Sequence, residues 1–486
     1  MTATEQTETG DPLALAEWFG RSRLPIWSWI VVAWALCVFP AISLRAYHYE
    51  EGYIVAVARG VLENSDGWVP HWYGFRFVER PNLMAWIVAL IGAAAGGVNQ
   101  WVTRAPAVLS ILAGCFLIFH MVRRYASPLA ALFAALAFLI SPLMLPKMIV
   151  AEPDGLVSVL LFGAFIVWWN GVEAGSIGIR RWFAIGGLLT VASFVKGPQP
   201  IAYFGLGVAA FHLLRREWAS LSLLALTGAG VMLITAAWYW AIYQPGDFAV
   251  WMSHSRLTDE LTVTQWVSRS AWFVFVTSLE LLPALILAVP LVPGLWRPAQ
   301  GATEVLVRAL LLYSICCTAV LVFWPGANAR YVMPALLTLA VLAGLAFDRY
   351  RGHWQVNAAL CVAAALAFYQ IVLCWVVMPA APDLFNRSRR AASALSAAIA
   401  AHPATLYALD RDPYNVLAYI RAVRIVPLQN FPAVKAPAWV LPTSQSQEQS
   451  IRRVRPDLDI DVAAVVEFDP GRPVHLLYMR PKQVPR

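Results

Sequence analysis

The sequence predicts an all-α polytopic membrane protein of about eleven transmembrane helices, followed by a small C-terminal exoplasmic α/β domain. Three observations carry this reading. The 486-residue chain is 60% hydrophobic and only 13% charged, with a mean hydropathy of +0.62, whereas a soluble chain carries about 25% charged residues. Its apolar runs are about 17–25 residues long, the length that crosses a bilayer as a helix. Those runs lack strand-like alternation, and lipid-facing backbone must satisfy its own hydrogen bonds, so the spans are helical. The net charge of +8 comes from 36 Lys and Arg residues, which positive-inside loops account for without nucleic acid.

Residues 1–24 read as a polar cytoplasmic tail ending in Arg21 and Arg23. The tail has no cleavable-signal pattern, so the first span, at 25–45, serves as a signal anchor. A long polar-aromatic loop follows at 46–81. Residues 82–98 are apolar but short and glycine-rich. Further spans are expected at 104–122, 127–145, 155–171, 182–196, 199–214, 219–243, 271–296, 305–325, 332–348 and 354–378. Arg123-Arg124, Arg180-Arg181, Arg215-Arg216, Arg297 and Arg349/Arg351 each sit in a short connection. Placing all of them in the cytoplasm makes the crossings alternate, provided that 82–98 lies along the membrane or only half enters it. The N-terminus is then inside and the C-terminus outside. The exoplasmic first loop with its juxtamembrane helices runs over 46–103, and the transmembrane unit over 25–380.

The six cysteines, Cys37, Cys115, Cys316, Cys317, Cys361 and Cys374, lie in apolar runs without metal-ligand spacing, so they read as small buried hydrophobes. In residues 381–486, apolar segments at 405–409, 424–428, 438–442, 465–468 and 474–479 alternate with helical patterns near 388–401, 414–422 and 446–454. That alternation predicts the α/β domain; no catalytic motif stands out in it. No internal repeat is visible, which counts against many transporter folds.

The polar residues collect on one side of this topology. Glu50 and Glu51 open a helix-forming run; adjacent acids there suit a general base or a metal ligand, and acids also simply favour a helix N-terminus. Asp154 opens the span at 155–171 on the same face, and an acid at membrane depth needs a reason. Arg80, Lys147, Lys196 and Arg330 are the cationic counterparts; Lys147 and Lys196 are two of only four lysines in the chain. Snorkelling accounts for a lysine at a span end, but Lys196-Gly197-Pro198 exposes backbone beside a cation, which suits a phosphate. Arg330-Tyr331 repeats the pattern. Tyr53 and His48 complete the candidate binding set. His48, His71 and His254 could join the acids in a metal site, but they lack compact ligand spacing, so aromatic-loop packing is preferred to metal ligation.

The ordered set of motifs resembles the GT-C membrane glycosyltransferases, within them the bacterial family 39, aminoarabinose-transferase and protein O-mannosyltransferase group. The motifs are Glu50-Glu51-Gly52-Tyr53, Gly67-Trp68-Val69-Pro70, Glu79-Arg80-Pro81, Leu83 to Ile87, Arg104-Ala105-Pro106, Ser141-Pro142 before Asp154, Lys196-Gly197-Pro198, and Arg330-Tyr331 with Pro334. The resemblance covers about residues 25–350. Two positions depart from the pattern: Glu50 stands for the usual Asp and Arg80 for the usual Lys, which keeps charge but changes geometry. The resemblance implies a bacterial inner-membrane enzyme that transfers a sugar from a polyprenyl-phosphate donor to a lipid, glycan or protein acceptor on the exoplasmic face. Glu50, Glu51 and Asp154 would be catalytic. Arg80, Lys147, Lys196, Arg330, Tyr331, Tyr53 and His48 would hold substrate and phosphate. A divalent metal is left open. The alternatives are a lipid or sugar transporter or flippase, and a non-catalytic prenyl-lipid-binding relative.

Overall fold

A computed structural model describes residues 24–63, 67–255, 262–324, 326–408, 414–421, 423–428, 434–442, 444–469 and 472–482. The expected tail ending in Arg21 and Arg23 lies outside them. The first helix, α1 (Ser28–Leu44), leads into α2 (Glu51–Glu63), a two-stranded hairpin of β1 (His71–Trp72) and β2 (Phe75–Arg76), and α3 (Leu83–Ala94). The hairpin was not anticipated from sequence, because two-residue strands leave no period to read. Helix α3 has 12 residues, about 18 Å of helix, well short of a bilayer core of about 30 Å.

A helical bundle follows: α4 (Gln100–Arg123), α5 (Pro128–Leu139), α6 (Pro153–Glu173), α7 (Ile179–Lys196), α8 (Gln199–Leu214) and α9 (Trp218–Ile242). Next come α10 (Asp247–Ser255), α11 (Val263–Glu280), α12 (Ala284–Ala288), α13 (Ala302–Val322), α14 (Met333–Arg349) and α15 (Trp354–Val372). Among the described residues, six helices are long and apolar enough to cross a membrane, or seven if a bent pair counts as one, and four more apolar helices are shorter.

Two expected spans take other forms. Residues 127–145 are helical only to Leu139, after which 140–152 fold into buried turns; Pro142 cannot donate to a continuing helix. The span expected over 271–296 begins earlier, at Val263, and bends by 96° between Glu280 and Ala284, where Pro283 removes a helical donor.

The C-terminal part carries α16 (Arg387–Ala401), β3 (Thr405–Ala408), α17 (Tyr414–Leu417), β4 (Ile425–Pro427), β5 (Ala438–Leu441), α18 (Gln445–Val454), β6 (Leu458–Asp469) and β7 (Arg472–Pro481). The strands form one five-stranded sheet in the order β4-β3-β5-β7-β6. The β3 pairs with β4 and β5 are parallel, and the other two pairs are antiparallel. Strand β6 has 12 residues, not the four expected, because Asp459 and Asp461 interrupt the apolar run on its exposed edge. Helix α17 is shorter than the pattern at 414–422 suggested.

Candidate active site

The sequence separates the charged stations by up to 280 residues, and the fold brings them to one point. Glu50 ends the turn that enters α2. Arg80 Nη2 donates to Glu50 Oε2 at 2.9 Å, and Arg330 Nη2 donates to Glu50 Oε1 at 2.6 Å. Arg80 Nη2 also donates to the Tyr53 hydroxyl at 2.7 Å, and the Tyr53 ring stacks on Phe77 with centroids 5.2 Å apart. Burial pushes the Tyr53 phenol up to about 12, so it acts as a neutral partner. Burial alone would raise the Glu50 carboxyl, but Arg80 and Arg330 outweigh it and hold that carboxyl below the usual range.

Arg330 bridges three acids. Besides Glu50, its Nη1 lies 3.2 Å from Glu152 Oε1 and its Nε lies 3.9 Å from Asp154 Oδ2. Lys196 pairs with Asp154, and its ammonium sits 4.0 Å from the Tyr331 ring centroid. Tyr331 in turn stacks on Trp324 at 5.7 Å. Helix ends position the set: Asp154 lies in the first turn of α6, Lys196 in the last turn of α7, and Arg330 in the short 3-10 turn before α14.

Glu50, Tyr53, Arg80, Lys196, Arg330 and Tyr331 line the charged part of a cavity of about 1500 Å³, whereas the buried Asp154, expected to be catalytic, and Glu152 are not among its lining residues. Aromatic residues, among them Trp72, Phe77, Tyr239, Trp240, Trp251 and Trp324, line much of the remainder, and Arg269 adds a further cation. A cavity that joins a cation cluster to an apolar, aromatic wall suits an amphiphile with an anionic head.

Three expected residues stand elsewhere, and one further residue was overlooked. Glu51 does not face the cavity. Its side chain and that of Arg104 are both 0% exposed, and Arg104 Nε and Nη2 donate to Glu51 Oε1 and Oε2 at 2.7 and 2.8 Å. The backbone amides of His48 and Ala151 also donate to Glu51, while Arg104 donates to the carbonyls of Ile42, Arg45 and Ala46 at the end of α1. That carboxylate is fully engaged and cannot reach a substrate, which corrects its expected catalytic place. Lys147 is likewise outside the cavity lining; it pairs with Glu152 at 2.6 Å and lies over the Tyr49 ring at 4.4 Å. The exposed His48 packs on Tyr49 with ring centroids 4.0 Å apart and does not line the cavity. Glu152 was missed. Its signal was an acid in an otherwise apolar stretch, two residues before Asp154, and such an acid needs a partner.

Among the described residues, no group of three or more His, Cys, Asp or Glu side chains is arranged to hold a metal ion. The three acids that come together, Glu50, Glu152 and Asp154, each meet a guanidinium or an ammonium. The His254 side chain lies outside the described residues.

A family model described as dolichyl-phosphate-mannose-protein mannosyltransferase matches residues 79–240, which include Arg80, Glu152, Asp154 and Lys196. The fold superimposes on ArnT from Cupriavidus metallidurans in the apo state, with a TM-score of 0.68 and 16% identity over 96% of this chain and 98% of that one. The chain shares the fold of ArnT. The same protein bound to undecaprenyl phosphate matches with a TM-score of 0.67 at 16% identity, again over 96% and 98% of the two chains. By sequence, the chain is 26% identical over 375 residues to an undecaprenyl phosphate-alpha-4-amino-4-deoxy-L-arabinose arabinosyl transferase of Pseudomonas aeruginosa, covering 72% of this chain and 66% of the relative. A transferase of the same name from Erwinia tasmaniensis is 26% identical over 366 residues, 70% and 64% of the two chains. The chain thus spans just under two thirds of the length of these curated relatives. The resemblance drawn from the motif order holds: the chain is a membrane protein related to the aminoarabinose-transferase group.

Proposed function

We propose that this chain is a glycosyltransferase that moves a sugar from a polyprenyl-phosphate donor to a lipid, glycan or protein acceptor at the exoplasmic surface of the bacterial inner membrane. One observation carries the reading: Glu50 is held between Arg80 and Arg330 at the charged end of a large aromatic cavity. The names of its relatives make undecaprenyl-phosphate-linked 4-amino-4-deoxy-L-arabinose the first donor to test.

The chemistry follows from the pairing. An acceptor oxygen attacks the anomeric carbon, the bond from that carbon to the phosphate oxygen breaks, and polyprenyl phosphate leaves with the electron pair. Arg80, Arg330 and Lys196 meet the charge that develops on the phosphate. Glu50 orients the acceptor and takes its proton. A phosphate drawn to Arg80 and Arg330 competes with Glu50 for the same N–H groups, so donor binding makes Glu50 more basic where the proton must go. A weakly basic carboxylate of this kind suits an acidic acceptor hydroxyl, such as that of a phosphate monoester. Asp154 and Glu152 set Arg330 and Lys196 in place. The aromatic wall takes the first prenyl units.

Eleven crossings, an inside N-terminus, and an exoplasmic α/β domain over 381–486 complete this proposal. The arginine pairs in the short connections support the orientation. Mass spectrometry of envelope lipids and glycans from cells with and without the gene tests the function. A sugar-bearing species that disappears with the gene and returns with wild-type protein, but not with Arg330→Ala protein, is expected. Identical profiles, with protein present in the membrane, refute it.

A further inference from the structure

The turn that carries Glu50 is held by a side chain from the far end of the sequence. Asn415, on α17, accepts at Oδ1 from the Gly52 amide at 3.0 Å and donates from Nδ2 to the Tyr49 carbonyl at 3.0 Å. These two groups bracket Glu50. Tyr49 has φ of +48°, a left-handed conformation that a bulky residue keeps only when its surroundings enforce it. Gly52 shows how close the approach is: a Cβ there would lie 2.6 Å from the Asn415 nitrogen and from the Tyr414 carbonyl. The contact is braced on both sides. The Tyr47 amide donates to the Tyr419 hydroxyl at 2.8 Å, and Arg59 donates to the Ala418 carbonyl at 2.7 Å. Tyr414 itself lines the cavity, edge-on to Trp72.

We propose that Asn415 is a positioning residue for Glu50, with its neighbour Tyr414 contributing to the wall of the active cavity. This rests on the glycosyltransferase reading for its consequence, but not for its geometry. One side chain fixes both the carbonyl before Glu50 and the amide two residues beyond it, so it sets where the carboxylate points between Arg80 and Arg330. The C-terminal part is then a component of the catalytic unit. Loss of Asn415 lets the turn relax, and a displacement on the order of 1 Å at a reacting group costs roughly 100-fold in rate.

The test compares full-length wild-type protein with Asn415→Ala and Asn415→Asp in lipid nanodiscs. Asp keeps the acceptor for the Gly52 amide and loses the donor to Tyr49. Hydrogen exchange over residues 47–54 needs no substrate. Asn415→Ala is expected to speed exchange at Gly52 by up to about tenfold, the size of one lost hydrogen bond, with Asn415→Asp restoring it and the rest of the chain unchanged. With undecaprenyl-phosphate-linked 4-amino-4-deoxy-L-arabinose, Asn415→Ala is expected to lower kcat about 10- to 100-fold while the donor KM stays within about twofold. Unchanged exchange at Gly52, or unchanged kcat despite faster exchange, overturns the proposal. So does a rate loss matched by faster exchange across the whole chain, which marks general destabilisation. If wild-type protein transfers no sugar while exchange at Gly52 responds as expected, the functional reading fails and the hold of Asn415 on the turn stands.

Discussion

Glu50 and Glu51 are neighbours of the same chemical type, each paired with arginine, and the fold gives them opposite work. Glu51 and Arg104 are 0% exposed and closed in by backbone partners on every side. Glu50, Arg80 and Arg330 keep 22%, 20% and 18% of their side-chain surface open and share a large cavity. A sealed pair ties the end of α1 to α4 and the 151 turn. An open pair can exchange its partner for a substrate. The difference lies in access and in leftover hydrogen-bonding capacity, and the identity of the residues is silent on both.

The largest effect is expected at Arg330, which belongs to the open cluster yet holds Glu50, Glu152 and Asp154 together. Arg330→Ala should remove turnover by at least about 100-fold and lower the thermal midpoint, because buried acids lose their partner. Normal turnover in that variant would detach the cluster from the chemistry. Next is the sealed pair. Glu51→Gln should cost about 3–5 kcal/mol of stability by leaving Arg104 buried and unpaired; thermal denaturation in detergent reads this directly. A stable, inactive Glu51→Gln protein would reverse the roles of the two acids.

A smaller effect separates them by pH. The Glu50 carboxyl is held below the usual carboxylate range by Arg80 and Arg330, against its burial. A depressed group keeps its ionised form, and the activity it supports, at ordinary pH; both are lost only as pH falls through the depressed value. Arg80→Gln removes one of the two guanidiniums, so the acid limb of the rate profile should move to higher pH. An unmoved limb would show that another group controls it. The smallest effect is expected far from both pairs: Asp383→Asn breaks an exposed ion pair with Arg390 and should change stability by less than about 1 kcal/mol.

Much of this was readable from residues. Asp154, Lys196 and Arg330 stood out because charge is rare and costly beside apolar spans, and the motif order around Glu50 and Arg80 indicated the fold. The partition between Glu50 and Glu51 was not readable, because it depends on Arg104, 53 residues beyond Glu51. Glu152 hid beside the more conspicuous Asp154. The interruption of the expected helix after Leu139 and the bend at 281–283 arise where proline meets buried turns, and hydropathy windows average over both. Asn415 carried no signal at all. Its importance comes from a tertiary contact some 363 residues from Gly52, and an asparagine beside a helical pattern looks like any other.

We propose that Glu50 serves catalysis and Glu51 serves the fold. This is tested most directly by single-turnover sugar release from a labelled undecaprenyl-phosphate donor by Glu50→Gln protein with a wild-type thermal midpoint. A loss on the order of 100-fold or more is expected, the size of a missing general base. Release at the wild-type rate would contradict it.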